Sequence, residues 1–335
     1  MPSALPKRGL LVLAFVAVAL ATVGIAVVVS RGGNSNPAKT RADATFVTVS
    51  RTSNIAELDL TTRRTRLLTN AEGGYLAVSS PTWSPDGRRI AYGRRVCPHC
   101  PFRLAVATSD GGSPDPVRGW QKNGEEPAWS ANGDRLVFTT NEHGGRELVL
   151  LDLNRGRGHA LELEGDEEEE VEVPNHPVFS PDGRTIAFDA ETEREQTRMF
   201  LLDLADGELH EVEDIAGHYG FPAFSPTGRR LAFSRTDAHV AWNLCVAELD
   251  AARTTCLTHG RANEVEPTWS PDGRSIVFSG DQADPTHVAR SLYLIRPDGT
   301  GARRLTSGFD DGAPSYSPDG TKIVFVRRQI VRVAG

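Results

Sequence analysis

Residues 81–92 read PTWSPDGRRIAY, and the phrase returns as PAWSANGDRLVF from Pro127, PVFSPDGRTIAF from Pro177, PAFSPTGRRLAF from Pro222, PTWSPDGRSIVF from Pro267 and PSYSPDGTKIVF from Pro314. The copies lie 46, 50, 45, 45 and 47 residues apart. A fixed period in this range marks a repeat architecture, in which one supersecondary unit cannot bury its apolar faces alone and must stack on its neighbours.

Each copy reads as strand, forced turn, strand. An aromatic (Trp83, Trp129, Phe179, Phe224, Trp269, Tyr316) stands two residues after the leading proline, and Ser84-Pro85-Asp86-Gly87 has the composition of a type I turn followed by a left-handed residue. The closing triplets, such as Leu136-Val137-Phe138 and Ile276-Val277-Phe278, are apolar on both faces, which for a strand means burial on both sides. A second strand pair follows each phrase, as in the runs from Leu148, Phe200 and Leu292, with Asp, Asn or Gly at the bend. Four antiparallel strands per repeat and almost no amphipathic helical pattern predict an all-β fold, a β-propeller of four-stranded blades. Three strand-like runs precede the first phrase (Phe46–Ser50, Ile55–Leu60, Thr65–Thr69), and only Ile330–Ala334 follows the last. The final unit is therefore one strand short, and a strand from the N-terminal region is expected to complete it. The total of about twenty-six strands lies between the twenty-four of six blades, the preferred count, and the twenty-eight of seven.

The phrase resembles the TolB-type propeller repeat, a relative of the WD repeat: an aromatic, Ser-Pro-Asp-Gly, two polar residues and an aliphatic-small-aromatic triplet. The resemblance covers residues 45–335, without the additional N-terminal α/β domain of TolB itself. Copy two departs from it at Ala131-Asn132 and copy four at Thr227, and both keep the turn glycine. The resemblance implies a propeller that works as an interaction module of the cell envelope. The motif residues themselves build turns and blade packing, so function must be argued from other positions.

Leu10–Ser30 is an uncharged apolar run flanked by Lys7, Arg8 and Arg31. It is long enough to cross a bilayer as a helix and ends without a convincing small-x-small cleavage site, so an uncleaved anchor is expected rather than a signal peptide. The organisation read from the chain is a short cytoplasmic tail (1–9), a transmembrane signal anchor (10–30), a flexible polar linker (31–44) and an extracytoplasmic propeller (45–335). Cys245 and Cys256 fall on the two strands of one hairpin, and an oxidising compartment would join them as a disulfide. Cys97-Pro98-His99-Cys100 is similar to the active-site motif of thiol-disulfide oxidoreductases. It lies in a loop rather than at a helix N-terminus, however, so a loop disulfide or thiol pair is expected ahead of a redox or metal role.

The net charge is −7, and the arginines, often paired after the turn glycine as Arg88-Arg89 or Arg229-Arg230, read as solvated turn residues, so no nucleic-acid partner is expected. No G-x-S-x-G elbow, HExxH or phosphate loop occurs. In a propeller the residues just before each repeat proline converge at one mouth of the channel. They supply Glu125, Glu126, His176, Phe221 and Glu266, with His218, Tyr219, Glu264, Asp310 and Asp311 close by. This set reads as an acidic mouth with histidine and aromatic residues, suited to a basic peptide segment or to a divalent cation held by carboxylate and imidazole. The acidic run Glu164–Glu172 reads as a separate solvated insertion. The reading drawn from all this is a non-enzymatic protein- or peptide-binding scaffold in the envelope, with no obligate cofactor. The alternatives are a metal-dependent polysaccharide lyase using His176, His218 or His259, and a carbohydrate-binding or sensor propeller.

Overall fold

The serine of each phrase closes its own turn. In the computed structural model, which describes residues 27–28, 45–70, 76–142, 144–163, 171–192, 196–212, 217–237, 241–251, 253–284 and 288–334, Ser180 Oγ donates to Asp182 Oδ1 at 2.6 Å and accepts the Thr185 amide at 3.0 Å. Ser84, Ser270 and Ser317 repeat the arrangement with Asp86, Asp272 and Asp319. Asn132 and Thr227 take the carboxylate's place in the two divergent copies, at 2.8 and 3.2 Å. The glycine that follows has φ between 68° and 73° in all six copies, a conformation that a side chain would strain. Because Ser180 is nearly buried, Ser180→Ala is expected to cost about 1–2 kcal/mol, read as a lower urea midpoint at unchanged slope. An unmoved midpoint would show that this hydroxyl does not hold the turn.

Six antiparallel blades of four strands result, the sixth carrying the two-residue strand Val27–Val28 as a fifth. Five are continuous in sequence, the third for example running Val171–Phe179, Thr185–Thr192, Thr197–Asp203 and Leu209–Glu211 from the centre outward. The sixth is composite: Asp310–Tyr316 and Lys322–Ala334 form its inner half, and Thr45–Asp59 and Thr65–Leu67 its outer half. The N-terminal region thus supplies two strands to this blade, not the one expected. The count differs because the runs from Phe46 and from Ile55 are one strand bent by a bulge between Val49 and Ser53, and Ile330–Ala334 merely continues the preceding strand. Each innermost strand packs on the innermost strand of the next blade, and the sixth packs on the first, Ala77–Trp83, so the ring is closed.

Burial explains why the second strand of every blade is apolar on both sides. Tyr92, Phe138, Phe188, Phe233, Phe278 and Phe325, the last residues of the six triplets, are all fully buried. Each junction between blades holds its own apolar cluster. Phe179, Ile186 and Phe188 of the third blade, for instance, pack on Val137, Leu148 and Leu150 of the second, and Trp83, Ile90 and Tyr92 of the first on Val324 and Val326 of the sixth. Indoles tie neighbours further: Trp129 donates to the Thr82 carbonyl and Trp269 to the Ala223 carbonyl of the preceding blade. The second arginine of the post-glycine pairs is not a solvated turn residue. Arg89 lies 4.7 Å over the Trp129 ring and Arg230 4.8 Å over the Trp269 ring, each bridging to the next blade. Only Arg88 and Arg229 stay in water.

Cys245 and Cys256 stand directly opposite each other in the fourth blade and form a disulfide, and Cys97 and Cys100 form a second within their loop. The expected anchor, Leu10–Ser30, lies outside the described residues apart from Val27–Val28, which pair as strand with Phe46 and Val47. The tail and the linker also lie outside them, as does most of the acidic run from Glu164. No helix among the described residues is long and apolar enough to cross a membrane.

Candidate functional site

Ser80, Glu126, His176, Phe221, Glu266 and Ala313 all have φ between 43° and 60°. They are the residues immediately before the six repeat prolines. Left-handed backbone at a residue with a side chain costs about 1–2 kcal/mol, so six equivalent instances mark a construction rule of this ring. The rule is a bulge in the innermost strand. Asn175 pairs with Asp189 and Val178 with Ala187, three residues against two, and the same shift occurs in the other five blades. Proline suits the site because it has no N–H to offer the ladder.

The bulge turns a backbone amide away from its own sheet, and a carboxylate of the preceding blade collects it. Glu126 accepts the His176 N–H at 3.0 Å, Asp189 the Phe221 N–H at 2.9 Å, and Glu266 the Ala313 N–H at 2.7 Å. Three of the six junctions are thereby stitched at the channel. The junction of the sixth and first blades is held by Ser53 instead, whose hydroxyl accepts the Val78 N–H and donates to the Val78 carbonyl.

Two charged clusters grow from these stitches. In the first, His176 Nδ1 lies 2.9 Å from Asp189 and its Nε2 3.6 Å from Glu126, while Arg146 donates to Glu126 at 2.9 Å. Burial opposes charge on the imidazole, but Asp189 and Glu126 outweigh it and push His176 up to about 9. Burial likewise works against Glu126, which His176 and Arg146 nonetheless hold below the usual carboxylate range. At neutral pH the imidazole is a cation between two carboxylates, so it offers no lone pair as base or metal ligand. The Phe221 ring lies 4.1 Å from it, and Trp242 meets Phe221 edge-on at 6.3 Å. In the second cluster Glu266 accepts from Ser279 and Arg290, Asp310 from Arg328 and the Arg290 amide, and the fully buried Asp311 is forked by Arg327.

The structure therefore brings together Glu126, His176 and Phe221 in one cluster and Glu266, Asp310 and Asp311 in the other. The sequence reads this set as an acidic mouth with histidine and aromatic residues; in the structure Arg146, Arg290, Arg327 and Arg328 pair with four of its acids, Glu126, Glu266, Asp311 and Asp310. Glu125 stands beside Glu126, and burial, with that neighbour's charge, pushes it up to about 7. Glu264 is buried, accepts from Thr258 and Gln282, and is pushed up to about 7 by burial. His218 accepts the Thr197 N–H, whereas Tyr219 belongs to the apolar cluster between the third and fourth blades, against Phe233. No group of three or more His, Cys, Asp or Glu side chains among the described residues is arranged to hold a metal ion.

Residues 168–333 match the TolB beta propeller domain family. The Tol-Pal system protein TolB of Gluconobacter oxydans is 29% identical over 253 residues, covering 74% of this chain and 52% of that protein. The chain thus spans about half the length of this curated relative. A solved structure assigned as a TolB from Agrobacterium tumefaciens superposes with a TM-score of 0.70 at 20% identity, covering 84% of this chain and 99% of that one. An oligogalacturonate lyase from Vibrio parahaemolyticus shares the fold at a TM-score of 0.52 and 13% identity, over 85% and 98% of the two chains. With six copies of the repeat and six blades, the chain is a six-bladed β-propeller built on TolB-type repeats, of which residues 168–333 match the TolB beta propeller domain family.

Proposed function

We propose that this propeller is a membrane-anchored, extracytoplasmic scaffold that binds a protein or peptide of the cell envelope at the channel mouth and performs no chemistry there. The observation that supports this reading is the left-handed bulge before each repeat proline, a position shared by Glu126, His176, Phe221 and Glu266. The groups that a catalyst would need free are committed to ion pairs. What the mouth offers is partly exposed Phe221 and Trp242 beside Arg146 and Arg290, the aromatic and arginine combination that dominates the energetic centres of protein interfaces. The naming of the Gluconobacter relative after the Tol-Pal system favours an envelope partner. The apolar run Leu10–Ser30 and the two disulfides favour an anchored domain in an oxidising compartment.

A photo-cross-linking residue placed at Phe221 in the full chain tests the reading. It is expected to trap one defined envelope protein, with no such adduct from the same residue at Arg274 on the opposite face. Trp242→Ala is expected to weaken capture by about tenfold or more, the range of an interface hot spot. Absence of any mouth-specific adduct, together with cleavage of a uronic acid polymer by the purified chain, would replace the scaffold with the lyase reading.

A further inference from the structure

On the face that carries the serine turns, five blades close in one way. The first residue after the third strand donates its N–H to the carbonyl of the residue before the second: Ser109 to Arg88, Leu153 to Asp134, Leu204 to Arg184, Leu249 to Arg229 and Leu60 to Thr321, at 2.8 to 3.0 Å. Four of these donors are leucines that pack on the apolar cluster of their seam. The fifth blade departs. Its second and third strands pair Ile276 with Ile295, and the same register continued by two residues sets Pro297 opposite Arg274. Proline has no N–H to donate. Arg296 turns back instead, its N–H donating to the Thr300 carbonyl and its carbonyl accepting the Gly299 N–H, both at 2.9 Å. Gly299, with φ of 82°, seats this turn on the fourth blade, where an added Cβ would stand 3.4 Å from the Leu257 carbonyl oxygen.

The departure leaves an open notch of about 520 Å³ between the fourth and fifth blades. Arg230 of the fourth blade lines it with Gly273 and Arg274 of the serine turn and Arg296, Pro297 and Asp298 of the outer turn. Three guanidinium groups therefore meet at one opening. Arg230 lies over the Trp269 ring at 4.8 Å and has no ion pair among the described residues, whereas its counterparts Arg135 and Lys322 pair with Asp134 and Glu57. Arg89 lies over Trp129 in the same manner, but there Leu153 closes the blade. The acids beside the notch serve their own turns. Asp298 accepts the Thr300 N–H and hydroxyl at 2.9 and 2.7 Å, and Asp272 accepts the Arg274 N–H at 3.0 Å and the Ser270 hydroxyl at 2.6 Å. Asp272 also stands 4.0 Å from Arg274 Nε, an exposed pair that water screens. Arg296 donates to the Thr300 hydroxyl at 3.2 Å, which leaves most of its five N–H groups to a ligand.

We propose that this notch binds a soluble phosphate monoester. Such a group brings three peripheral oxygens and nearly two negative charges, enough to meet three guanidinium forks held on closed turns, whereas a single carboxylate offers two oxygens and one charge. The volume suits a small molecule. The site lies on the face away from the mouth and does not depend on what the mouth binds.

Calorimetric titration of the full chain, in nonionic detergent and phosphate-free buffer of low salt, tests the assignment with inorganic phosphate, glycerol 3-phosphate and acetate. Both phosphates are expected to bind at one per chain and acetate at least about tenfold more weakly. Arg274→Ala and Arg296→Ala should each weaken phosphate by about tenfold or more, the range of a lost charge-assisted hydrogen bond. Arg155→Ala, on the corresponding outer turn of the second blade, should leave it unchanged. Pro297→Leu restores both the leucine and the N–H of the other blades, so it should abolish binding without lowering the melting temperature; if that variant fails to fold, the arginine variants still decide. No saturable binding, acetate binding as tightly as phosphate, or affinity insensitive to Arg274→Ala and Arg296→Ala overturns the site. An equal loss in Arg155→Ala does so too, because it reduces the binding to general surface charge.

Discussion

A chain shortened to begin at Leu76 is expected to lose its cooperative unfolding transition, whereas one beginning at Thr45 keeps it. The shorter chain lacks the outer half of the sixth blade, and with it Ile55, Ala56 and Leu58, all buried. Their removal bares Val324 and Val326 on one side and Ile323 and Phe325 on the other, the residues that seal the junctions with the first and fifth blades. Emptying a single such site costs about 2–5 kcal/mol. Losing several at once exceeds the roughly 5–15 kcal/mol that holds a domain folded. The Ser53 contacts to Val78 and the bond from the Ser53 N–H to the Leu76 carbonyl, which tie that seam, leave with the same strand. Thermal melts by circular dichroism, with limited proteolysis, decide the matter: matching melting temperatures for the two chains would refute the closure described above. The experiment also separates a six-bladed ring clamped by both chain ends from a five-bladed unit carrying a loose appendage, for which the truncation would be harmless.

Blade number and strand order were legible because the repeat phrase carries its own local physics. Proline, aspartate and glycine specify the turn, and an apolar triplet can lie only between two sheets. The composite blade was half legible: the missing partner could be counted, but the bulge that merges the runs from Phe46 and Ile55 has no marker in sequence. The mouth was legible by position and not by chemistry. Residues before the prolines share one left-handed conformation, yet nothing local announces it, because His176 and Glu266 reach it under the constraint of a closed ring. The acids were visible and their cations were not, since Arg146 and Arg290 come from loops of unequal length that have no fixed offset from the motif. Asp189 was readable in retrospect. It follows the closing aromatic of the third copy, where the first, second, fourth and fifth copies carry Gly93, Thr139, Ser234 and Ser279. One carboxylate among small and hydroxyl residues is the signal that a comparison down the repeats exposes.

Asp189 should for this reason be the most sensitive single residue at the mouth. It is buried, 3% exposed, and holds both the His176 ring and the Phe221 amide. Asp189→Ala strands a charged imidazole and an N–H together, for an expected loss of about 3–5 kcal/mol. Asp189→Asn keeps an acceptor for Phe221 but removes the charge, so it should cost less and lower the pKa of His176 from about 9. The sign of the pH dependence follows from that shift. Folded His176 binds its proton more tightly than the unfolded residue, whose value is near 6.5, so its contribution is complete below pH 6.5 and is lost as pH rises through about 9. In Asp189→Asn that decline should move to lower pH. Titration of the His176 C2 proton by NMR, alongside urea unfolding at several pH values, reads both quantities. The double replacement Asp189→Asn with His176→Gln removes charge from both sides and should recover much of the stability lost by the single aspartate variant. If the double variant were as unstable as the sum of the singles, the pair would be contributing independently, and the charged pairing of His176 with Asp189 within the third blade would have to be abandoned.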